Sequence, residues 1–260
     1  MDRADDQLLQ HTEARPPRRR YSIGFAASAE ERRAAQRLRW KVFAEELGAR
    51  LNSREPGIDQ DIFDPICEHL IVRDDESGEV VGTYRLLAPE AARGIGCYYS
   101  ETEFDLTRLR LLRGRMVEVG RSCIHPEHRG GAVITLLWAG LARYMLAHGH
   151  AYLAGCASMS MADGGHAAAA VFERLRARHM APVEYRVFPR LCLPLHELDA
   201  TRPGDPPPLL RGYLRAGAWI CGEPAWDPDF NTADFFVFLP LERLNPRHAR
   251  HFYGRELRAA

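Results

Sequence analysis

Val117-Glu118-Val119-Gly120-Arg121-Ser122-Cys123-Ile124-His125 reads as a strand, and Pro126-Glu127-His128-Arg129-Gly130-Gly131 as the turn that leads from it into an apolar helix. A helix N-terminus presents unpaired backbone N–H groups and a partial positive charge, and so suits a phosphate. The strand before it carries a carboxylate and a guanidinium, Glu118 and Arg121. An anion cradle beside an acid–base pair is what transfer from a pantetheine thioester needs. The plain alternative is a glycine-containing strand-to-helix turn that binds nothing. Glu118 and Arg121 are three apart, so an undistorted strand would send them to opposite faces. A bulge near Gly120 would bring them together and free backbone N–H groups for a thioester oxygen.

Upstream of this strand, Tyr21 to Phe25 reads as a short strand after a polar, disordered tail over residues 1–20. Ser28 is a helix cap with Glu31 as capping-box partner, and the helix runs to Leu47 with Leu38, Val42 and Leu47 on one apolar stripe before Gly48 ends it. An acidic loop, Asn52 to Pro65, precedes a hairpin of His69 to Val72 and Val80 to Leu87. Downstream come helix Gly131 to Ala147, strand Tyr152 to Ala157 and helix His166 to His179. A proline-rich link over Pro203 to Pro208 leads into a short helix, Leu209 to Ala216, a strand Phe235 to Leu239 and a helical tail from Leu241. Alternating strands and helices predict an α/β sheet covered on both faces, in one domain with an elaborated C-terminal part.

Composition narrows the partners. The 260 residues carry equal numbers of acidic and basic side chains, which gives no global electrostatic case for nucleic acid. Lys41 is the only lysine, and Arg108, Arg110, Arg113 and Arg115 form a local basic run before the central strand. Six cysteines without C-x-x-C spacing argue against a zinc site or disulfide framework and suit a reducing cytoplasm; no metal is implied. The N-terminus lacks the apolar core of a signal peptide. The helix from Ala132 to Leu146 is too short to span a membrane and is broken by Arg143. Arg18 to Arg20 could touch anionic lipid or simply be solvated.

Arg39-Trp40-Lys41-Val42-Phe43, Glu46-Leu47-Gly48, Asp61-Ile62-Phe63-Asp64, Cys67-Glu68-His69-Leu70 and Val80 to Leu87 together resemble the ornithine lipid N-acyltransferases, as do Tyr99 to Leu106, Glu118 to Cys123 and Tyr152 to Ser158. The run Pro207 to Arg215, the block Cys221-Gly222-Glu223-Pro224-Ala225-Trp226-Asp227 and the block Asp229 to Phe235 extend the likeness, which covers Tyr21 to Phe252. That family lies within the GNAT acyltransferase superfamily and is akin to the acyl-homoserine lactone synthases. The phosphate-loop pattern R-x-x-G-x-G/A fits poorly: counting from Arg129, Ala132 and Ile134 hold the glycine positions, and glycines sit early at Gly130 and Gly131.

The resemblance implies a GNAT-like mixed, mostly antiparallel central sheet flanked by helices, spanning residues 21–260. It implies transfer of a 3-hydroxyacyl chain from acyl carrier protein to the α-amine of ornithine, giving lyso-ornithine lipid. No bound cofactor is expected, a separate O-acyltransferase would add the second chain, and a cytoplasmic enzyme would touch the inner membrane face transiently. Another amino acid acceptor, lactone formation, or a silent carrier-binding regulator are the alternatives.

Glu118 is then the candidate general base, with Arg121 beside it; equally, Glu118 could be a structural partner of Arg121 or Arg85. Arg129 with the N–H groups of Gly130 and Gly131 would hold the pantetheine phosphate. Arg39, Asp61, Asp64 and Arg85 form the set expected to meet the amino acid, although either aspartate could instead cap or staple its loop. Cys123 invites a covalent acyl-enzyme, but direct transfer is the favoured route. Asp227, Asn231 and Asp234 are read as ordering the last strand.

Overall fold

The computed structural model describes residues 19–245. The described chain runs β1 (Tyr21–Phe25), α1 (Ala29–Trp40), β2 (Glu68–Asp74), β3 (Val80–Leu87), α2 (Pro89–Ile95), β4 (Phe104–Asp105), β5 (Met116–Ile124), α3 (Ala132–Ala147) and β6 (Tyr152–Ser160). It continues through α4 (His166–His179), β7 (Phe188–Pro189), α5 (Pro208–Ala216), β8 (Trp219–Ile220), β9 (Ala225–Asp227) and β10 (Thr232–Pro240). Nearly all of the tail expected over 1–20 lies outside the described residues, as does most of the expected C-terminal helix. Within them that helix is one turn, Leu241–Arg243.

The main sheet has the order β1-β2-β3-β5-β6-β10-β8, with β9 beside β10. Every pairing in it is antiparallel except β5 with β6. Side chains alternate between faces, and the core follows. Leu70 and Val72 of β2 pack with Val133 and Leu137 of α3, while Ile71 between them packs with Ala35 and Leu38 of α1. On β10, Phe235, Val237 and Leu239 join the cluster that includes α3, α4 and α5; Phe236 and Phe238 join the opposite one. Helices therefore cover both faces, as expected.

Helix α1 begins where its sequence says: Ser28 Oγ accepts from Glu31 N at 3.2 Å, and the Glu31 carboxylate reaches back to Ala27 N at 2.6 Å. It does not stay α-helical to Leu47. Over Lys41–Glu46 the helix widens to a π turn, which rotates the residues after it. Leu38 and Val42 are buried but Leu47 is 64% exposed, so the expected three-residue stripe is really two.

The feature that makes room for a site is the β5–β6 pair. These parallel strands are in register only over Met116–Glu118 and Tyr152–Ala154. Each then runs on for six residues without the other, β5 against β3 and β6 against β10. Gly155 sits where they part, with φ +159°, and a Cβ there would lie 2.1 Å from the Val119 carbonyl oxygen. Backbone contact that tight admits only glycine.

Candidate active site

The gap between the diverging strands holds a cavity of about 370 Å³, walled by Glu118 to Ser122 on one side and by Cys156, Ser158 and Ser160 on the other. β5 is bulged as it passes. Thr83 faces Cys123 and Arg85 faces Gly120, so Arg121 and Ser122 together oppose Tyr84. Arg121 takes φ +48°, a left-handed conformation that costs a non-glycine residue about 1 kcal/mol or more. The extra residue turns the Glu118-to-Arg121 spacing from odd to even, and both side chains line the cavity. The bulge falls one residue past Gly120.

The Arg121 guanidinium lies between two rings, 4.8 Å from that of Tyr99 and 4.5 Å from that of Phe230. Asp59 and Asp61 approach it at 3.4 and 3.3 Å. Burial opposes its charge, but Tyr99, Asp59 and Asp61 more than compensate, and the group stays cationic. Behind it lies an ion network of balanced charge: three arginines, Arg39, Arg85 and Arg121, against Asp59, Asp61 and Asp64.

Arg39 has 0% exposure and holds Asp59 at 2.7 Å and Asp64 at 2.8 Å. Asp64 also accepts from Arg85, Gln36 and Asp61 N. Burial would raise the Asp64 pKa, yet Arg39 and Arg85 hold it far below the usual carboxylate range. Asp61 accepts from Arg85 at 2.7 Å and from the N–H groups of Phe63 and Asp64. Of the quartet expected to meet the amino acid, only Arg85 lines the cavity. Arg39, Asp61 and Asp64 do not line it: Arg39 is engaged with Asp59 and Asp64, and Asp61 with Arg85, Arg121 and the N–H groups of the acidic loop. Asp59, a member of the network, gave no motif signal in the sequence.

Glu118 is buried and fully engaged. One oxygen accepts from Tyr99 N at 2.6 Å, and the other from Ser100 N at 2.8 Å and from the Ser100 hydroxyl. Its partners are thus the turn at Tyr99 and Ser100, not Arg121 or Arg85. Burial raises its pKa, and the three hydrogen bonds from this turn only partly offset that. Raising a carboxyl pKa makes its ionised form a stronger base.

Arg129, Gly130 and Gly131 do not line the cavity; they follow the far end of β5. Arg129 forks onto Glu46 with two contacts of 2.6 Å and donates to the Ile124 carbonyl oxygen at 3.1 Å. Gly131, at φ +93°, caps α3, whose first turn offers N–H groups without intrahelical acceptors. Cys123 is buried, and burial pushes its thiol up to about 12. Cys156, on the cavity wall, is pushed well up for the same reason. Neither is a thiolate at neutral pH. In the basic run, Arg113 is committed to Glu101 at 2.6 Å, and Arg108 lies 4.9 Å over the Phe188 ring.

One set of polar residues was not foreseen. Asp227 and Asp234 line the cavity, and the Glu103 carboxylate stands beside Asp234 and Cys156, their ligand atoms within 4.8 Å of one another. Only the fold, through β10 and the loop after α2, brings them together.

The Acetyltransferase (GNAT) domain family model matches residues 38–139. The L-ornithine N(alpha)-acyltransferase of Rhodobacter capsulatus is 40% identical over 251 residues, covering 91% of this chain and 96% of that one. The enzyme of the same name from Brucella abortus is 36% identical, covering 90% and 89%. Among solved structures, the AHL synthase LasI superposes with a TM-score of 0.51 at 15% identity, covering 91% of this chain and 96% of that one, which is a likeness of fold. No helix among the described residues is long and apolar enough to cross a membrane. With a GNAT-like sheet opened around a buried carboxylate, and relatives matched over nearly their whole length, the chain belongs to the L-ornithine N(alpha)-acyltransferase family and is an N-acyltransferase.

Proposed function

We propose that this protein transfers a 3-hydroxyacyl group from acyl carrier protein to the α-amine of L-ornithine, giving lyso-ornithine lipid as the first step of ornithine lipid synthesis. The acceptor is that named for its relatives. The observation that carries the chemistry is the bulge, which sets Glu118 and Arg121 on one cavity in the gap between β5 and β6.

The amine nitrogen bonds to the thioester carbonyl carbon, the C–S bond breaks, and the carrier thiol leaves. Glu118 takes the ammonium proton, directly or through water, before attack. N–H groups that a bulge leaves outside the ladder would receive the charge developing on the carbonyl oxygen. Arg121 would hold the amino acid carboxylate. Burial pushes up the thiols of Cys156 on the cavity wall and of Cys123 behind it, which favours direct transfer over a covalent acyl-enzyme. Cys123→Ala should retain activity within about threefold, and no acyl-protein adduct should appear by intact mass; loss of turnover or a trapped thioester contradicts direct transfer.

Arg129, with the Gly130 and Gly131 N–H groups, holds the pantetheine phosphate once Glu46 yields it. Arg129→Ala should raise the donor KM roughly 10- to 100-fold, the worth of a charge-assisted hydrogen bond of ~1.5–3 kcal/mol, and move the ornithine KM far less. The amphiphilic product leaves towards a membrane face, where Leu111 and Phe188, both exposed near Arg108, would make peripheral contact; a separate O-acyltransferase acts next. The test is to offer 3-hydroxyacyl carrier protein, or the matching coenzyme A thioester, with a panel of amino acids. Carrier-dependent amide formation on ornithine is expected. A lactone, another preferred amino acid, or no product overturns the reading.

A further inference from the structure

The charges around the cavity are compensated on one side and not on the other. Asp59, Asp61 and Asp64 face arginines, and Glu118 accepts three N–H and O–H donors. Asp227, Asp234 and Glu103 face no cation among the described residues. Asp234 accepts one hydroxyl, that of Thr232, at 3.0 Å. Asp227 uses a single oxygen for the N–H groups of Asp229 and Phe230. Both oxygens of Glu103 are shut off from solvent, and its polar neighbours are the Asp234 carboxyl and the Cys156 thiol, with no cation among the described residues. Burying carboxyl groups this way is costly unless a positive charge arrives.

We propose that Asp234, with Asp227 and Glu103 beside it, is the receptor for the side-chain ammonium of the amino acid substrate, and so the element that selects a diamine. The inference rests on the reading of ornithine as acceptor. Geometry ties the subsite to the reacting end. The Ser100 hydroxyl donates to Glu118 and also lies 3.3 Å from Cys156 Sγ, which touches the Glu103–Asp234 pair. Two small side chains thus separate the proton acceptor from the carboxyl cluster. That separation suits an amino acid whose two amines are joined by a short methylene chain, the α-amine at Glu118 and the side-chain ammonium at Asp234. Burial and repulsion from Asp234 raise the Glu103 pKa, and burial raises that of Asp227 as well. An ammonium bound among these carboxyl groups supplies the compensating charge.

The experiment compares kcat/KM for L-ornithine and for L-norvaline, which has the same carbon chain without the second amine, in wild type and Asp234→Asn. The wild type is expected to prefer ornithine strongly. Asp234→Asn should shrink that preference ~30-fold or more, through the ornithine KM, with the acyl-donor KM unmoved. Should Asp234→Asn fail to fold, judged by thermal melting, Asp227→Asn must shift the same ratio in the same direction. Equal loss on both amino acids overturns the subsite while leaving the acceptor intact. So does an unchanged ratio, or a preference for ornithine that vanishes on removing metal with a chelator. A wild type that ignores ornithine overturns the acceptor reading and the subsite with it.

Discussion

Glu118→Gln should lower kcat by roughly 10²- to 10⁴-fold, the usual worth of a positioned proton acceptor. The amide keeps the shape of the carboxyl and can still accept from Ser100, but it turns an N–H₂ group towards Tyr99 N, now 2.6 Å from a carboxylate oxygen. That donor–donor clash costs about 1–3 kcal/mol of stability, so a thermal shift alone says nothing of catalysis. The pH profile does. Burial raises the Glu118 pKa, and the group accepts a proton only when ionised, so wild-type kcat/KM falls as pH drops through that raised pKa. In Glu118→Gln this acid limb should disappear from the residual activity. A variant whose activity returns to near wild type on cooling, with the acid limb intact, would make Glu118 only the clamp of the Tyr99–Ser100 turn.

The largest effect on stability is expected at Arg39. Arg39→Met matches the side chain in length but takes the fully buried cation from between Asp59 and Asp64, leaving three carboxylates to two arginines. Removing one partner of a buried pair typically costs 3–5 kcal/mol, which in a chain of this size is a fall in Tm of about 10 °C. A Tm within 2 °C of wild type would contradict the assignment. The pH dependence has a definite sign. Asp64 is depressed in the folded state, so its contribution is fully present above the ordinary carboxylate pKa of about 4 and is lost as pH falls towards the depressed value. Wild type should therefore lose Tm steeply below pH 4, and Arg39→Met more gently because less remains to lose.

Local rules carried the sequence reading a long way. The Ser28 cap, the hairpin around Gly78 and the strand–turn–helix from Val117 are encoded within a few residues, and all stand in the structure. Even the bulge was legible, because a Glu and an Arg three apart cannot share a face without one. Non-local features were not. Leu47 fits an α-helical stripe until the π turn at Lys41–Glu46 rotates it away. Nothing in their spacing shows that Asp61 and Asp64 pair with Arg39, Arg85 and Arg121 in the fold. Asp234 looks like a strand residue until Glu103, 131 positions earlier, is set beside it with no cation near. Which acidic group is paired with a cation and which is not could not be read from spacing, because charge compensation is a property of tertiary structure.

The most direct test is the position of the new amide bond. Wild-type protein incubated with 3-hydroxyacyl carrier protein and L-ornithine should give a product whose fragmentation by tandem mass spectrometry places the acyl chain on the α-nitrogen, with the δ-amine free. Acylation of the δ-nitrogen, or a mixture of the two, would contradict a site that holds the side-chain ammonium at Asp234 and presents the α-amine to Glu118.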